Sequence, residues 1–450
     1  MRDHEDRAVS TSPPGTWAPA RRVADAITGP IQRVLAIEAA SGILLMVATA
    51  TALVLANSGW ATSYEALWHT PIGVTVGGYE FERPLHFWIN DGLMTVFFLV
   101  VGLEIRREIF EGELRSLKQA SLPLVAALGG MLVPAALYFA FNAGRMGAAG
   151  WAVPMATDIA FAVGVLTLLG SRLPSSLRVL LLALAVIDDI GAIIVIAVFF
   201  SAGIAIEGFA IAGFGIAGVV ILRAAAVRSP LIYVIPGIVV WAGLYIAGIH
   251  PTLAGVILGL LTPVRSWFGP SGFAQTTADH LASLESSDKA DLLQRLDAIN
   301  DARREAVSPV ERFVHALHPW VAFGVMPLFA FANAGVAFGD ANLDGDALWI
   351  FIGIVVGLAI GKPLGIAGMA LLSSRAGIST RPPEMRVSGV ALVGIVGGIG
   401  FTMSLFIAQL AFPDRALLDT AKLGILVGSA IAMIVGLGFG AIVIRAARRS

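Results

Sequence analysis

A chain of 450 residues in which 57% are hydrophobic and only 14% charged, with mean hydropathy +0.83, belongs among proteins whose solvent is the lipid bilayer. The complete lack of cysteine excludes disulfides, thiolate metal sites and thiol catalysis, and a net charge of −1 gives no basis for a nucleic-acid partner. The seven histidines form no H-E-x-x-H set, and no G-x-x-x-x-G-K-S/T loop is present to bring in ATP.

In chain order, residues 1–35 are polar, without the apolar core of a secretory signal, and read as a disordered cytosolic tail. Apolar runs long enough to span then occur at about 37–56, 87–104, 120–142, 150–170, 177–200, 206–223, 230–248, 251–264, 319–338, 347–371, 387–411 and 418–443. Between the first two, "VTVGGYEFE" from Val74 to Glu82 alternates apolar and polar residues about Gly77 and Gly78, the pattern of a hairpin with a two-residue turn. The match "GFGIAG" at Gly213 to Gly218 lies in an apolar run with no strand before it, so helix packing explains it better than dinucleotide binding. The connection 265–317 is long and charged, and "SSDKADLLQRLDAINDARREA" within it reads as an amphipathic helix begun by a Ser or Asp cap.

Twelve spans put both termini on one side, and the basic residues choose the cytoplasm. The outer loops then keep only Arg83, Arg145 and Arg415, while Lys362 and Lys422 fall within spans and every other Lys and Arg is inside. Lys422 has Asp419 about one turn before it and reads as an interfacial anchor. The fold class expected is an all-α integral membrane protein: a twelve-helix domain over 36–444 and a basic cytosolic tail over 445–450.

Four places interrupt the apolar pattern. Asp188 and Asp189 in "ALAVIDDIGAII" lie midway along the run 177–200, where one ionised side chain costs at least ~3 kcal/mol on insertion scales. Neighbours on a helix diverge by ~100°, so one carboxylate can face a water-filled cavity while the other meets a neighbouring helix. Pro154 breaks the run "WAVPMATDIAFAVG", with Thr157 and Asp158 after it; the freed backbone groups need ions, water or side chains, although a kinked helix whose Asp158 merely caps is the plainer alternative. Lys362 in "LAIGKPLGIAG" pairs with Asp188 or Asp189, or else snorkels to the interface. Gly398, Gly400 and Thr402 lie in "GIVGGIGFTMSLF", a glycine-dense run able to unwind, though small residues also serve plain packing. Two interrupted runs at 150–170 and 387–411, one in each half, point to inverted-topology repeats with a site at the bilayer midplane.

At these residues the sequence resembles the NhaA-type sodium/proton antiporters of bacterial inner membranes. "LHFWINDGLMTVFFLVVGLEIRREI", "VPMATDIAFAVGVLTLLGSR", "ALAVIDDIGAIIVIA", "GIHPTLAGV", "PLFAFANAG", "IGKPLGI" and "GIGFTMSLFIA" carry the likeness, in family order, over about Ala36 to Ile444. The resemblance implies a multi-pass inner-membrane protein with two broken, crossing helices, exchanging cytoplasmic Na⁺ or Li⁺ for external protons electrogenically and needing no cofactor. It implies Asp189 as the main cation ligand, Asp188 as the acid paired with Lys362, and Thr157 and Asp158 as support at the crossed helices. Asp91, Glu104 and His250 match positions linked to pH response or ion entry, and the outer hairpin implies homodimerisation. Val314 departs from the family, which often has glutamate just before the first His of "HALHPW".

Two buried acids beside a lysine titrate as a coupled set, so the expected site holds protons or Na⁺ but not both. A second protonatable group allows more protons than cations to move. Two rival functions make other demands. An intramembrane aspartyl protease needs its carboxylates on separate helices, and a sodium-coupled symporter for an organic solute needs a further polar pocket.

Overall fold

Helices account for every apolar run, because a backbone in hydrocarbon must satisfy its own hydrogen bonds. The computed structural model describes residues 38–447 apart from 77–78, 171–172, 202, 204, 226, 228, 267–268, 283–288 and 340–342. The tail 1–35 therefore lies outside the described residues, as do 448–450 of the basic tail. Glu38–Ala56 (α1) is followed at a 113° bend by Ala61–His69 (α2), then by strands Pro71–Val76 (β1) and Tyr79–Pro84 (β2). The strands pair antiparallel from Pro71↔Pro84 to Val76↔Tyr79, a register that leaves two residues for the turn; those two, Gly77 and Gly78, are outside the described set.

The chain continues through Leu85–Phe110 (α3), Leu117–Asn142 (α4), a 3₁₀ segment Met146–Met155 that leads into Ile159–Leu168 (α5), and Ser175–Phe199 (α6). Ile206–Ala224 (α7), Pro230–Ile246 (α8) and Leu253–Leu261 (α9) follow, then the surface helices Gly269–Ala282 (α10) and Lys289–Ala306 (α11). The last elements are Pro309–Asn333 (α12), Asp346–Arg375 (α13), Val387–Gly397 (α14), Phe401–Ala411 (α15) and Arg415–Ala447 (α16). Seven helices are long and apolar enough to cross a bilayer unbroken, and three bent pairs pass the same test jointly. The two shorter helices, α8 and α9, complete the match to the twelve runs.

The run 251–264 forms a short helix. Its regular part, α9, has nine residues, ~14 Å at 1.5 Å per residue. It lies against α3, so closely that a Cβ on Gly102 would sit 2.8 Å from the Val256 carbonyl oxygen.

Wide, π-type turns occur inside two of the spans, at Val321–Val325 and Gly357–Gly361. Each precedes a proline, Pro327 or Pro363, which lacks the N–H that would bond the carbonyl four residues back, so the helix widens there rather than breaking. A third wide turn, Trp88–Leu93, lies in α3.

Two bundles follow from which helices touch. One contains α4, the 3₁₀ segment with α5, α6, α13, α14 with α15, and α16; the other contains α1, α3, α7, α8, α9 and α12. They meet where α1 packs on α5, α3 on α6, and α12 on α15. Arg83, Arg145 and Arg415 all lie on the face that carries the hairpin. Arg83 donates to the Tyr245 hydroxyl at 3.0 Å, Arg145 lies 3.6 Å from Asp346 and Arg415 lies 2.5 Å from Glu65, each joining a segment distant in sequence.

Candidate ion site

The two broken helices cross at their breaks. After Pro154 the backbone is extended at Ala156 and Asp158 before α5 begins, and α14 gives way to α15 across residues 398–400. Each pair bends by 45°. The 3₁₀ segment packs on α15 and α14 on α5, so the two pairs run antiparallel, the relation an inverted repeat requires. Gly400 is a glycine because the other break comes so near: a Cβ there would lie 2.9 Å from the Ala156 carbonyl oxygen.

Asp158 ties the crossing together. Its backbone N–H donates to the Ile399 carbonyl at 2.7 Å, one break bonding the other. One carboxylate oxygen accepts from Phe161 N at 3.1 Å, the N-terminus of α5; the other accepts from Thr402 N at 3.1 Å and from the Thr402 hydroxyl, the N-terminus of α15. Each helix N-terminus carries roughly half a positive charge, so two of them match the single charge of this carboxylate.

Lys362 stands at the start of the straight part of α13, just past its wide turn, and is fully buried. Its ammonium forms an ion pair with Asp188 and donates to the Thr157 hydroxyl at 2.7 Å. That hydroxyl has one proton for two acceptors, Asp188 Oδ2 at 2.6 Å and the Gly397 carbonyl at 3.0 Å. The charged acceptor is the stronger. Asp188 is thereby committed on Oδ2, while its Oδ1 is buried with no hydrogen-bond partner.

Asp189 is different. It is 2% exposed and its carboxylate has no hydrogen bond or ion pair among the described residues, although Asp188, Glu104, Asp158 and Lys362 all act on it electrostatically. Carboxylate and hydroxyl oxygens suit a small hard cation, and uncommitted oxygens of Asp188 and Asp189 project from one turn of α6.

The structure brings together Pro154, Thr157, Asp158, Asp188, Asp189, Lys362, Gly398, Gly400 and Thr402 around the crossing. Glu104, on α3 of the other bundle, is near enough to act electrostatically on Asp189. Asp91 and His250 are apart from this group but near each other, Nδ1 of His250 lying 3.5 Å from Asp91. Lys422 and Asp419 are 3.3 Å apart as i,i+3 neighbours on α16, yet the lysine side chain is only 11% exposed, so the pair is packed inside the protein rather than anchored at an interface. The sequence reading overlooked a second polar group: His86 and Asn90 of α3, Asn333 of α12 and Gln409 of α15 are hydrogen-bonded across the two bundles. The signal was uncharged polar residues inside apolar runs, in "HFWIND", "FANAG" and "IAQLA".

A family model described as Na⁺/H⁺ antiporter 1 matches residues 32–439. Among curated proteins, Na(+)/H(+) antiporter NhaA 2 of Sorangium cellulosum is 55% identical over 98% of this chain and 95% of its own length. The Myxococcus xanthus protein of the same name is 53% identical over 96% and 93%, and Na(+)/H(+) antiporter NhaA of Bartonella henselae 48% over 95% of each. With a matched model over nearly the whole chain and relatives this similar along their full length, the chain belongs to the Na⁺/H⁺ antiporter 1 family.

Proposed function

We propose that this protein exchanges cytoplasmic Na⁺ or Li⁺ for external protons, more than one proton per cation, within one twelve-helix transport domain over residues 36–444. The observation that carries the site assignment is the contrast within the aspartate pair. Asp188 is held by Lys362 and Thr157, whereas Asp189 offers both carboxylate oxygens to whatever enters. A cation bound at Asp189, with help from the free oxygen of Asp188, competes with protons for the same oxygens, so loading one species expels the other. Thr157 and Asp158 fix the crossing that carries the site, and the breaks at Pro154 and at Gly398 and Gly400 let it move without tearing a continuous helix. Asp91, Glu104 and His250 serve ion entry or pH response.

Movement of the bundle containing the crossing against the other exposes the site first to one face and then to the other. Both termini and helices α10 and α11 lie in the cytoplasm of a bacterial inner membrane, and the hairpin lies outside, where its edge supports a homodimer. The bilayer lipids are its surroundings on every other side.

The test is reconstitution in proteoliposomes with internal pH followed by a dye as Na⁺, Li⁺ or K⁺ is added. Proton movement is expected with Na⁺ and Li⁺, accelerated by a membrane potential and lost in Asp189→Asn. Exchange that persists in Asp189→Asn removes Asp189 as the ligand, and exchange indifferent to potential removes the unequal stoichiometry.

A further inference from the structure

Two turns along α15 from the ion site, three carboxamides close a ring between the bundles. Asn333 Nδ2 donates to Asn90 Oδ1 at 2.8 Å, Asn90 Nδ2 donates to Gln409 Oε1 at 2.6 Å, and Gln409 Nε2 donates back to Asn333 Oδ1. His86 Nε2 lies 2.7 Å from the same Asn333 oxygen, and Asn333 also donates to the Phe329 carbonyl at 2.9 Å. Each amide therefore uses both its donor and its acceptor in the ring. Asn90 and Asn333 are 7% and 0% exposed, so the ring replaces hydrogen bonds that water would otherwise supply.

Its position connects it to transport. Gln409 belongs to the bundle that carries the acids, whereas Asn90, Asn333 and His86 belong to the other bundle. All four lie toward the hairpin side, since His86 follows β2 closely and Asn333 and Gln409 end their helices. On α15, Thr402, Phe406 and Gln409 share one face, successive offsets of four and three residues keeping them within ~60° of each other, and Gln409 is ~10 Å beyond Thr402. Between them Phe406 packs against Phe98 of α3 and Phe329 of α12, at 5.2 and 6.3 Å between ring centroids, all three at most 1% exposed. The same sequence, amide and then phenylalanine inward, occurs on all three helices.

We propose that this amide ring, braced by His86, is the latch that holds the two bundles together on the hairpin side and keeps the ion site shut from that side. Resting on the proposed exchange of access by bundle movement, it assigns Asn90, Asn333 and Gln409 a positioning role: their ring must open whenever the site faces the hairpin side. Both bonds of Gln409 cross the bundle boundary, so this one side chain controls the latch.

The cysteine-free chain permits a direct test. Met94 is fully buried on α3, one turn inward of Asn90 and one turn outward of Phe98, and Met94→Cys places a reporter thiol behind the ring. An impermeant thiol reagent added from the hairpin side should label it slowly when the ring is intact. Gln409→Leu, which keeps the volume and removes both bonds, should raise that rate by about tenfold or more, the shift expected for losing two hydrogen bonds. The rate from the opposite side should not rise. An unchanged rate, or an equal rise from both sides, overturns the latch. Independently, Asn90→Cys with Gln409→Cys should cross-link on mild oxidation, stopping exchange until a reductant is added; exchange that continues in the fully cross-linked protein also overturns it. Labelling needs no transport, so absence of exchange in the unmodified protein would count against the antiporter reading and leave the latch to the labelling result.

Discussion

Replacing Lys362 by methionine removes the positive partner of a carboxylate that is 1% exposed, together with a 2.7 Å hydrogen bond to Thr157. Breaking a buried ion pair from one side costs ~3–5 kcal/mol, because the surviving charge keeps its desolvation and loses its compensation. Against a total stability of ~5–15 kcal/mol, either Lys362→Met or Asp188→Asn alone is then a severe loss. The double variant leaves no buried charge at this point, and the asparagine amide still accepts from Thr157, so it should recover to within ~1–2 kcal/mol of the parent, a coupling of ~3 kcal/mol or more. The cycle is read by titrating detergent-solubilised protein with a denaturing surfactant and following fluorescence of the nine tryptophans. Single losses that simply add, within ~0.5 kcal/mol, would refute the reasoning and show that water or another group compensates each partner.

Two further outcomes follow from the same geometry. Asp158→Ala should cost ~3–5 kcal/mol, since it uncaps α5 and orphans the N–H and hydroxyl of Thr402, whereas Asp158→Asn, which keeps an acceptor, should cost less than half of that in the same titration; equal losses would mean that the carboxylate is not a cap. Gly102→Ala should destabilise by ~1–3 kcal/mol because the new methyl would meet the Val256 carbonyl and Cα at 2.8 and 3.0 Å, and a neutral result would show that α9 can slide on α3.

Much of the architecture was legible because the bilayer imposes length and apolarity on every span, and because the few charges inside apolar runs stand out. Asp188, Asp189, Lys362 and Asp158 announce themselves this way. The break at Pro154 was visible for a covalent reason, the missing N–H. Other features were set by contacts that no local pattern encodes. The close approach of α9 to α3, with Gly102 against Val256, shows in no local pattern, and the wide turns before Pro327 and Pro363 could equally have been kinks. The partnership of Lys362 with Asp188 rather than Asp189 depends on which face of α6 meets α13, a rotation that the sequence leaves open. The amide ring escaped because asparagine and glutamine in an apolar run are cheap enough to be read as incidental. Only their convergence from three helices gives them meaning.

The arrangement of charges explains why the breaks and the acids occur together. A continuous helix at the midplane presents only satisfied backbone, but a broken one presents an N-terminus and a C-terminus to the bilayer centre, with about half a charge on each. The antiparallel crossing places two N-termini on Asp158, and it places the Gly397 carbonyl, at the end of α14, beside Thr157 and within the group that holds Lys362. These fixed dipoles need fixed partners, which Asp158 and Lys362 provide. Asp188 then completes Lys362. On α6 this leaves Asp189, whose carboxylate has no hydrogen bond or ion pair among the described residues, and in the proposed exchange its charge is met by a proton or a cation that arrives from outside the fold. On that proposal the exchangeable group is one that no described residue holds, so the occupant can change without rebuilding its surroundings, and the strain of moving falls on the breaks and on the contacts between bundles, which are the parts able to give way.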